Sequence, residues 1–266
     1  MVSLEPLPRL SGQAFDGVVG AAFQNGSTVP LLAPPTPLLN VLLAEGQLAA
    51  PTFSLFLNRG DKPGAVGRSA WTLGGADAAA YSTGPLVTLP PAPIWQSVLG
   101  LWAVVMDYVF GASLARASRA SAPSRPYRSP SAPRPAVNAF LTTACDKCIA
   151  VLDSSTPYIS GPPTEMAKVL GIVGPVAEDC SNVGALPNIT FQLGGVGFAL
   201  APSDYVLRLP KDDYNTSIVC TIGLQGFDSS GGLLPLWILG TSFLRSAYSI
   251  YHLDNATVQL AQSLVL

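Results

Sequence analysis

The chain has 266 residues, of which 11% are charged and 48% apolar, with 25 Gly and 25 Pro. That length can bury a sizeable core, the Gly and Pro counts suit short strands and tight turns over coiled coils or long bundles, and the apolar fraction excludes general disorder. The formal net charge of −2 hides an asymmetry: Arg116, Arg119, Arg125, Arg128 and Arg134 share one acid-free stretch, and without them the remainder carries −7, which speaks against a nucleic-acid partner.

In chain order, Met1-Val2-Ser3-Leu4-Glu5-Pro6 has neither the basic segment nor the apolar run of a secretory leader. Thr36-Pro37-Leu38-Leu39 through Glu45-Gly46 predicts a short helix, with Thr at the N-cap, Pro at the first helical position and Gly past the end. Thr52 to Leu57 alternates as a half-buried strand does, with Phe53, Leu55 and Leu57 on one face. Ile94 to Ala115 is apolar apart from Asp107 and is long enough to weigh as a membrane span. Gly100, Asp107 and Gly111 interrupt it and strand-like pieces flank it, so the membrane reading is set aside. Arg116 to Pro135, rich in Ser, Ala, Pro and Arg, reads as a linker. Thr164 to Leu170 predicts a helix closed by Gly171. Ile189 to Leu193, Gly194-Gly195 and Val196 to Leu200 predict a two-residue hairpin, and Tyr248 to Leu253 with Val258 to Leu260 a second one across Asp254-Asn255.

Cysteines number four: Cys145, Cys148, Cys180 and Cys220. Zinc would want a second short-spaced pair or histidines, and His252 is the only histidine; a thioredoxin-like motif would want a βαβ context. Two structural disulfides in an oxidising compartment are the reading that remains. The sequons at Asn25, Asn188, Asn215 and Asn255 agree with that compartment. No metal or cofactor is called for.

The chemistry concentrates in Val151-Leu152-Asp153-Ser154-Ser155-Thr156, an apolar run that delivers one carboxylate into a turn of small hydroxyl residues. About eighty residues later, Leu236-Trp237-Ile238-Leu239-Gly240 is the apolar strand ending in Gly that such a turn needs beside it. Further segments follow in a fixed order: Phe15-Asp16-Gly17-Val18-Val19-Gly20, Thr36 to Leu48, Thr52 to Arg59, Leu73-Gly74-Gly75-Ala76-Asp77, Tyr81-Ser82-Thr83-Gly84, and Ile94-Trp95-Gln96. After them come Gly161-Pro162-Pro163, Leu186 to Phe191, Leu200 to Tyr205, and Phe243-Leu244-Arg245. This ordered series resembles the pepsin-like aspartic proteases over nearly all the chain outside the linker.

The resemblance implies an all-β, bilobal acid-protease fold with a few short helices and an incomplete first lobe. Residues 1–83 would form a partial N-terminal lobe and 84–266 the C-terminal lobe, with a Pro/Ser/Arg-rich stretch at about 110–138 that has no family counterpart. That stretch is either a surface insertion or intronic sequence carried into the chain. By resemblance, Asp153 is the second-lobe catalytic aspartate, Ser154 would hydrogen-bond across to the opposite turn, and Thr156 would hydrogen-bond the carboxylate. Val18-Val19-Gly20 and Ile238-Leu239-Gly240 would be the strands beside the two catalytic turns. The expected disulfides are Cys145–Cys148, one residue tighter than the usual family pair, and Cys180–Cys220.

Two departures bear on activity. Ser155 stands where the family has Gly, so a side chain crowds the carboxylate. No Asp-Thr-Gly or Asp-Ser-Gly turn and no aspartate precede Ser11, so an N-terminally truncated member is expected. The function expected is that of an aspartic-type endopeptidase acting on peptide or protein substrates, inactive as this polypeptide alone and monomeric in the full-length family member. It would be secreted, vacuolar or lysosomal. A non-catalytic relative that binds peptides is the alternative, and a two-chain enzyme donating one Asp153 from each copy is the third. Asp16 reads as a turn residue, His252 as a strand residue without triad or metal support, and Trp237 and Phe243 as core.

Overall fold

The computed structural model describes residues 19–23, 36–58, 69–92, 100–111, 142–212, 215–228 and 236–264. Phe15 to Val18, Asn25, Arg59, Ile94-Trp95-Gln96 and the arginine-rich stretch of 116–135 lie outside them. The described chain is mostly β-structure with five short α-helices.

Strands β1 (Thr52–Phe56), β2 (Ala70–Leu73), β3 (Val87–Leu89), β15 (Ala247–His252) and β16 (Val258–Gln262) form one antiparallel sheet in the order β2-β1-β15-β16-β3. It joins strands from the two ends of the chain, with Phe53 opposite Tyr251 and Ser54 opposite Ile250. β1 lies where the alternation predicts a strand, but its burial does not alternate: Thr52, Phe53, Ser54 and Phe56 are buried and Leu55 only partly, because both faces of the sheet are covered. One face carries Phe56, Tyr248 and Ile250 against Tyr81 of helix α2 (Ala78–Tyr81). There the Tyr248 hydroxyl donates to Ser54 Oγ at 2.9 Å and accepts from Asp77 N at 2.8 Å, which satisfies a buried phenol. His252 sits in a polar row on the same face, its ring nitrogens 3.2 Å from Thr52 Oγ1 and 3.1 Å from Gln259 Oε1.

The apolar run from Ile94 to Ala115 resolves, over its described part, into β4 (Ala103–Met106) and β5 (Tyr108–Gly111), and no helix among the described residues is long and apolar enough to cross a membrane. Asp107, the charge inside that run, lies between the two strands; its Oδ2 accepts from Gly195 N at 2.8 Å. β5 joins β6 (Thr142–Thr143), β9 (Ile189–Leu193) and β10 (Val196–Leu200) in a second sheet of order β10-β9-β5-β6. The β9–β10 hairpin falls where the sequence predicts it, with Gly194 at φ 57° and Gly195 at φ 79°, the left-handed pair that a two-residue turn demands. β11 (Val206–Asp212) and β12 (Asn215–Ile222) form a separate ribbon.

Helix boundaries shift from the sequence expectation. α1 (Leu38–Ala44) begins one residue late, with Pro37 itself at the N-cap. α3 (Pro163–Val173) runs through Gly171 and ends at Gly174, the residue that adopts φ 75°. The helix continues past Gly171 because its buried stripe is Met166, Val169 and Val173, so the last apolar contact lies beyond that glycine. Trp237 and Phe243 are fully buried, as expected of core residues.

Candidate active site

Asp153 owes its position to a threaded sheet. β7 (Cys148–Leu152) leads into the turn that spans Asp153 to Tyr158, and β8 (Ile159–Gly161) leads away from it. β14 (Leu236–Leu239) lies between these two strands, parallel to β7 and antiparallel to β8, in a sheet of order β13-β8-β14-β7-β4 that ends on β13 (Leu224–Gly226). The chain leaving β7 therefore crosses over the end of β14 before it returns as β8. Ile238 pairs with Val151 and Leu239 with Leu152, which places the carboxylate at the C-terminal ends of two parallel, buried strands.

Backbone hydrogen bonds clamp the turn onto β14 and onto the short helix Thr241–Leu244 that follows it. Asp153 N donates to Leu239 O at 3.1 Å, Gly240 N to Tyr158 O at 3.1 Å, and Thr241 N to Thr156 O at 2.8 Å. The buried Ser242 hydroxyl donates to Pro157 O at 2.6 Å. Gly240 is required here by close approach, since a Cβ would fall on the carbonyl oxygens of Tyr158 and Thr156.

Within the turn, Asp153 is half-buried while Ser154 and Ser155 are exposed. Ser155 donates to Asp153 Oδ1 twice, from its backbone N at 2.8 Å and from its hydroxyl at 2.6 Å. The side chain expected to crowd the carboxylate is thus folded onto it. The resemblance implies a bond from Thr156 to the carboxylate; among the described residues its Oγ1 instead accepts from Tyr158 N at 3.4 Å. The Ser154 hydroxyl has no partner among the described residues.

Beneath the turn lies an aromatic layer that sequence reasoning did not connect to Asp153. Leu152 N donates to Trp102 O at 3.0 Å, and the Trp102 ring lies 5.0 Å from Tyr251 and 5.6 Å from Phe53. Tyr251 stacks on Phe53 at 4.6 Å. Burial pushes the Tyr251 phenol up to about 12, and the negative charge of Asp153 adds to the effect. The signals lay in two apolar stretches, the run holding Trp102 and the alternation of β15, but nothing in either stretch points to the other.

The Val18-Val19-Gly20 segment is described from Val19 onward. Trp102 Nε1 donates to Ala21 O at 2.8 Å, Phe23 N to Gly100 O at 3.0 Å, and the Phe23 and Trp102 rings lie 4.2 Å apart. These contacts tie Ala21 and Phe23 to Trp102, whose carbonyl receives Leu152 N, while Val19 and Gly20 are exposed. Cys145 pairs with Cys148 (Cα–Cα 5.9 Å) and Cys180 with Cys220 (5.1 Å), and no cysteine is left free among the described residues. Cys148 opens the strand that ends at Asp153.

Comparison with known proteins agrees with this architecture. A family model described as "Eukaryotic aspartyl protease" matches residues 2–119 and 135–263, leaving out only the core of the arginine-rich stretch and the chain ends. The chain is 28% identical to cathepsin E of Rattus norvegicus over 263 residues, which is 97% of the chain and 56% of the relative. It is 29% identical to pepsin A of Sus scrofa over 265 residues, with the same coverage of each. The match to cathepsin E-B of Xenopus laevis is 27% over 263 residues, again 97% of the chain and 55% of the relative. The chain thus spans about half the length of the curated relatives it matches. A threaded β-sheet presenting an Asp-Ser-Ser-Thr turn, with a family match over most of its residues, makes the chain a member of the eukaryotic aspartyl protease family.

Proposed function

We propose that Asp153 is one of the two carboxylates of an aspartic-type endopeptidase site that cleaves peptides or proteins at acidic pH. The observation that carries this reading is the support of the turn, with β14 threaded between β7 and β8 and Gly240 packed against the carbonyls of Tyr158 and Thr156. A framework this specific holds a carboxylate at the ends of two buried strands, which a solvated turn aspartate does not need. Two such carboxylates at close range share one proton, because both cannot ionise cheaply. One then takes a proton from water as it attacks the peptide carbonyl, and the other protonates the leaving nitrogen. Ser154, exposed beside Asp153, is suited to bond the opposite turn, and Val18, Val19 and Gly20 to line it.

Asp153 lies in the one such strand-threaded turn among the described residues, and this chemistry requires two, so we read the isolated polypeptide as inactive. Residues 1–83 belong to the first lobe and 84–266 to the second, and the complete enzyme is a monomer. Two disulfides and the sequons favour a glycosylated protein that is secreted or vacuolar/lysosomal. The test is pepstatin-sensitive cleavage at acidic pH, measured on this chain and on a version extended by a first-lobe Asp-Thr-Gly segment. The extended chain should cleave and its Asp153→Asn form should not; cleavage that survives Asp153→Asn would sink the assignment.

A second reading is favoured by Ser155, whose amide and hydroxyl both occupy Asp153 Oδ1 where the family has Gly. In that reading the chain is a non-catalytic relative that binds peptides. Ser155→Gly in the extended chain separates the two. Peptide binding with no cleavage, even after that substitution, selects the binder.

A further inference from the structure

The turn between β15 and β16 contains the sequon Asn255-Ala256-Thr257, whose geometry is more specific than a sequon requires. Asn255 is exposed, and its Oδ1 accepts from Thr257 N at 3.0 Å and from Thr257 Oγ1 at 2.7 Å. Asn255 N in turn donates to Asp254 Oδ1 at 2.9 Å. Ala256, at φ 57°, lets the chain reverse tightly enough for Thr257 to reach back. Each of these bonds joins residues no more than two apart, so the turn can close in a nascent chain before any sheet exists. Both donors converge on the carbonyl oxygen of the carboxamide, which fixes the orientation of the amide and makes its Nδ2 protons easier to remove. Nδ2 itself has no hydrogen-bond partner among the described residues.

We infer that Asn255 is an N-glycosylation site whose acceptor amide is prearranged by this turn. The co-reactant is an oligosaccharide carried on a lipid pyrophosphate in the lumen of the secretory pathway. Nδ2 attacks C1 of the first sugar, the N–C1 bond forms, and the bond from C1 to the pyrophosphate oxygen breaks with its electron pair leaving on that oxygen. The amide proton passes to a base of the transferring enzyme, and no oxidation or reduction takes place.

The sequon at Asn188 does not share this arrangement. Asn188 is exposed, but Thr190 lies within β9, flanked by Ala199 of β10 and Phe110 of β5, so that sequon is drawn into a sheet as it forms. At Asp179-Cys180-Ser181 the same turn recurs, with Ser181 N at 3.0 Å and Ser181 Oγ at 2.6 Å from Asp179 Oδ1, but a carboxylate offers no nitrogen. The inference is independent of the protease assignment, since it concerns a turn outside the Asp153 framework.

The test translates the full chain behind a cleavable leader in the presence of endoplasmic-reticulum microsomes, with lumenal chains selected by protease protection. Enzymatic deglycosylation in heavy-oxygen water converts an occupied Asn to labelled Asp, which mass spectrometry locates. Label at position 255 is expected, retained in Thr257→Ser and reduced to background in Thr257→Ala and Asn255→Gln. The Thr257 pair keeps the result readable if one variant misfolds. Lumenal chains with Asn255 unlabelled, or label that persists in Thr257→Ala, would overturn the inference, whatever happens at Asn188.

Discussion

Replacing Gly240 with Ala tests the framework that holds Asp153. The added Cβ would land on the carbonyl oxygens of Tyr158 and Thr156, the same two atoms that accept from Gly240 N at 3.1 Å and Thr241 N at 2.8 Å. Neither carbonyl can swing away without breaking its bond, and Ser242 holds the intervening Pro157 O at 2.6 Å. Overpacking against rigid backbone costs ~1–3 kcal/mol, and each lost backbone bond costs about 1 kcal/mol more. Gly240→Ala should therefore destabilise by roughly 3–5 kcal/mol, a fall in Tm of about 6–10 °C for a chain of this size. The control is Gly171→Ala. Gly171 is exposed in the interior of α3, nothing lies within 4 Å of its missing Cβ, and its φ is ordinary. Ala at that position should stabilise by about 0.5–1 kcal/mol through helix propensity and the entropy of the unfolded chain. Urea unfolding of both variants measures the difference. Equal midpoints, or a Gly240→Ala loss below about 1 kcal/mol, would refute the claim that the Asp153 turn is clamped by close backbone approach.

Three further expectations follow from other parts of the molecule. The Cys180–Cys220 bond spans 40 residues, so replacing both cysteines with Ala should cost about 4 kcal/mol on the loop-entropy model, read as a lower urea midpoint. Asp179 has a carboxyl held below its ordinary value of 3.8, first by the Ser181 hydroxyl and then by its amide, so it favours the fold above that value and loses the contribution as pH falls through the lowered native one. Ser181→Ala should move the Asp179 carboxyl upward in an NMR titration, and an unmoved resonance would show that the hydroxyl does not matter. Tyr251, with a native value of about 12 against an ordinary 10.0, supports the fold fully below pH 10 and progressively less as pH rises towards 12. Tyr251→Phe should remove one of the late-ionising phenols from an ultraviolet titration and flatten the alkaline loss of stability.

Local signals in the sequence were legible where the chain decides its own geometry. Gly194-Gly195 between two alternating runs specifies a hairpin because few other residues tolerate two successive left-handed positions, and the structure has that hairpin in register. The helix expected over Thr164 to Leu170 runs from Pro163 to Val173, so its start was readable to within one residue and its end was not. Either glycine could have closed the helix, and the choice depended on Val173 finding a place in the core. The apolar run at 94–115 was ambiguous for a related reason. Periodicity cannot separate a buried strand pair from a longer apolar segment, and only the pairing of β4 with β7 and β5 with β9 decides it. Trp102 and Tyr251 were invisible as neighbours of Asp153 because their proximity is made by two sheets, over separations of 51 and 98 residues.

The Asp153 turn shows how little of a carboxylate's support is local. Asp153 with Ser155, Asp179 with Ser181, and Asn255 with Thr257 are three copies of one turn, each with an Asx oxygen accepting from the amide and the hydroxyl two residues on. In isolation they are equivalent, and Asp179 shows that such a turn can lie in an exposed loop. What sets Asp153 apart is supplied from elsewhere: Leu239 O receiving its amide, Gly240 beneath the turn, and Trp102 O holding Leu152. Ser155 fits the local rule, its amide and hydroxyl meeting the carboxylate as those of Ser181 meet Asp179. Its consequence falls on the chemistry, since one carboxylate oxygen is already committed to two donors. Ser155→Gly should therefore leave the stability, read from urea unfolding, within about 1 kcal/mol of the parent while removing the hydroxyl donor from Asp153 Oδ1 and keeping the amide one. A large loss of stability on that substitution would mean that the turn depends on its own hydroxyl and not on the threaded strand.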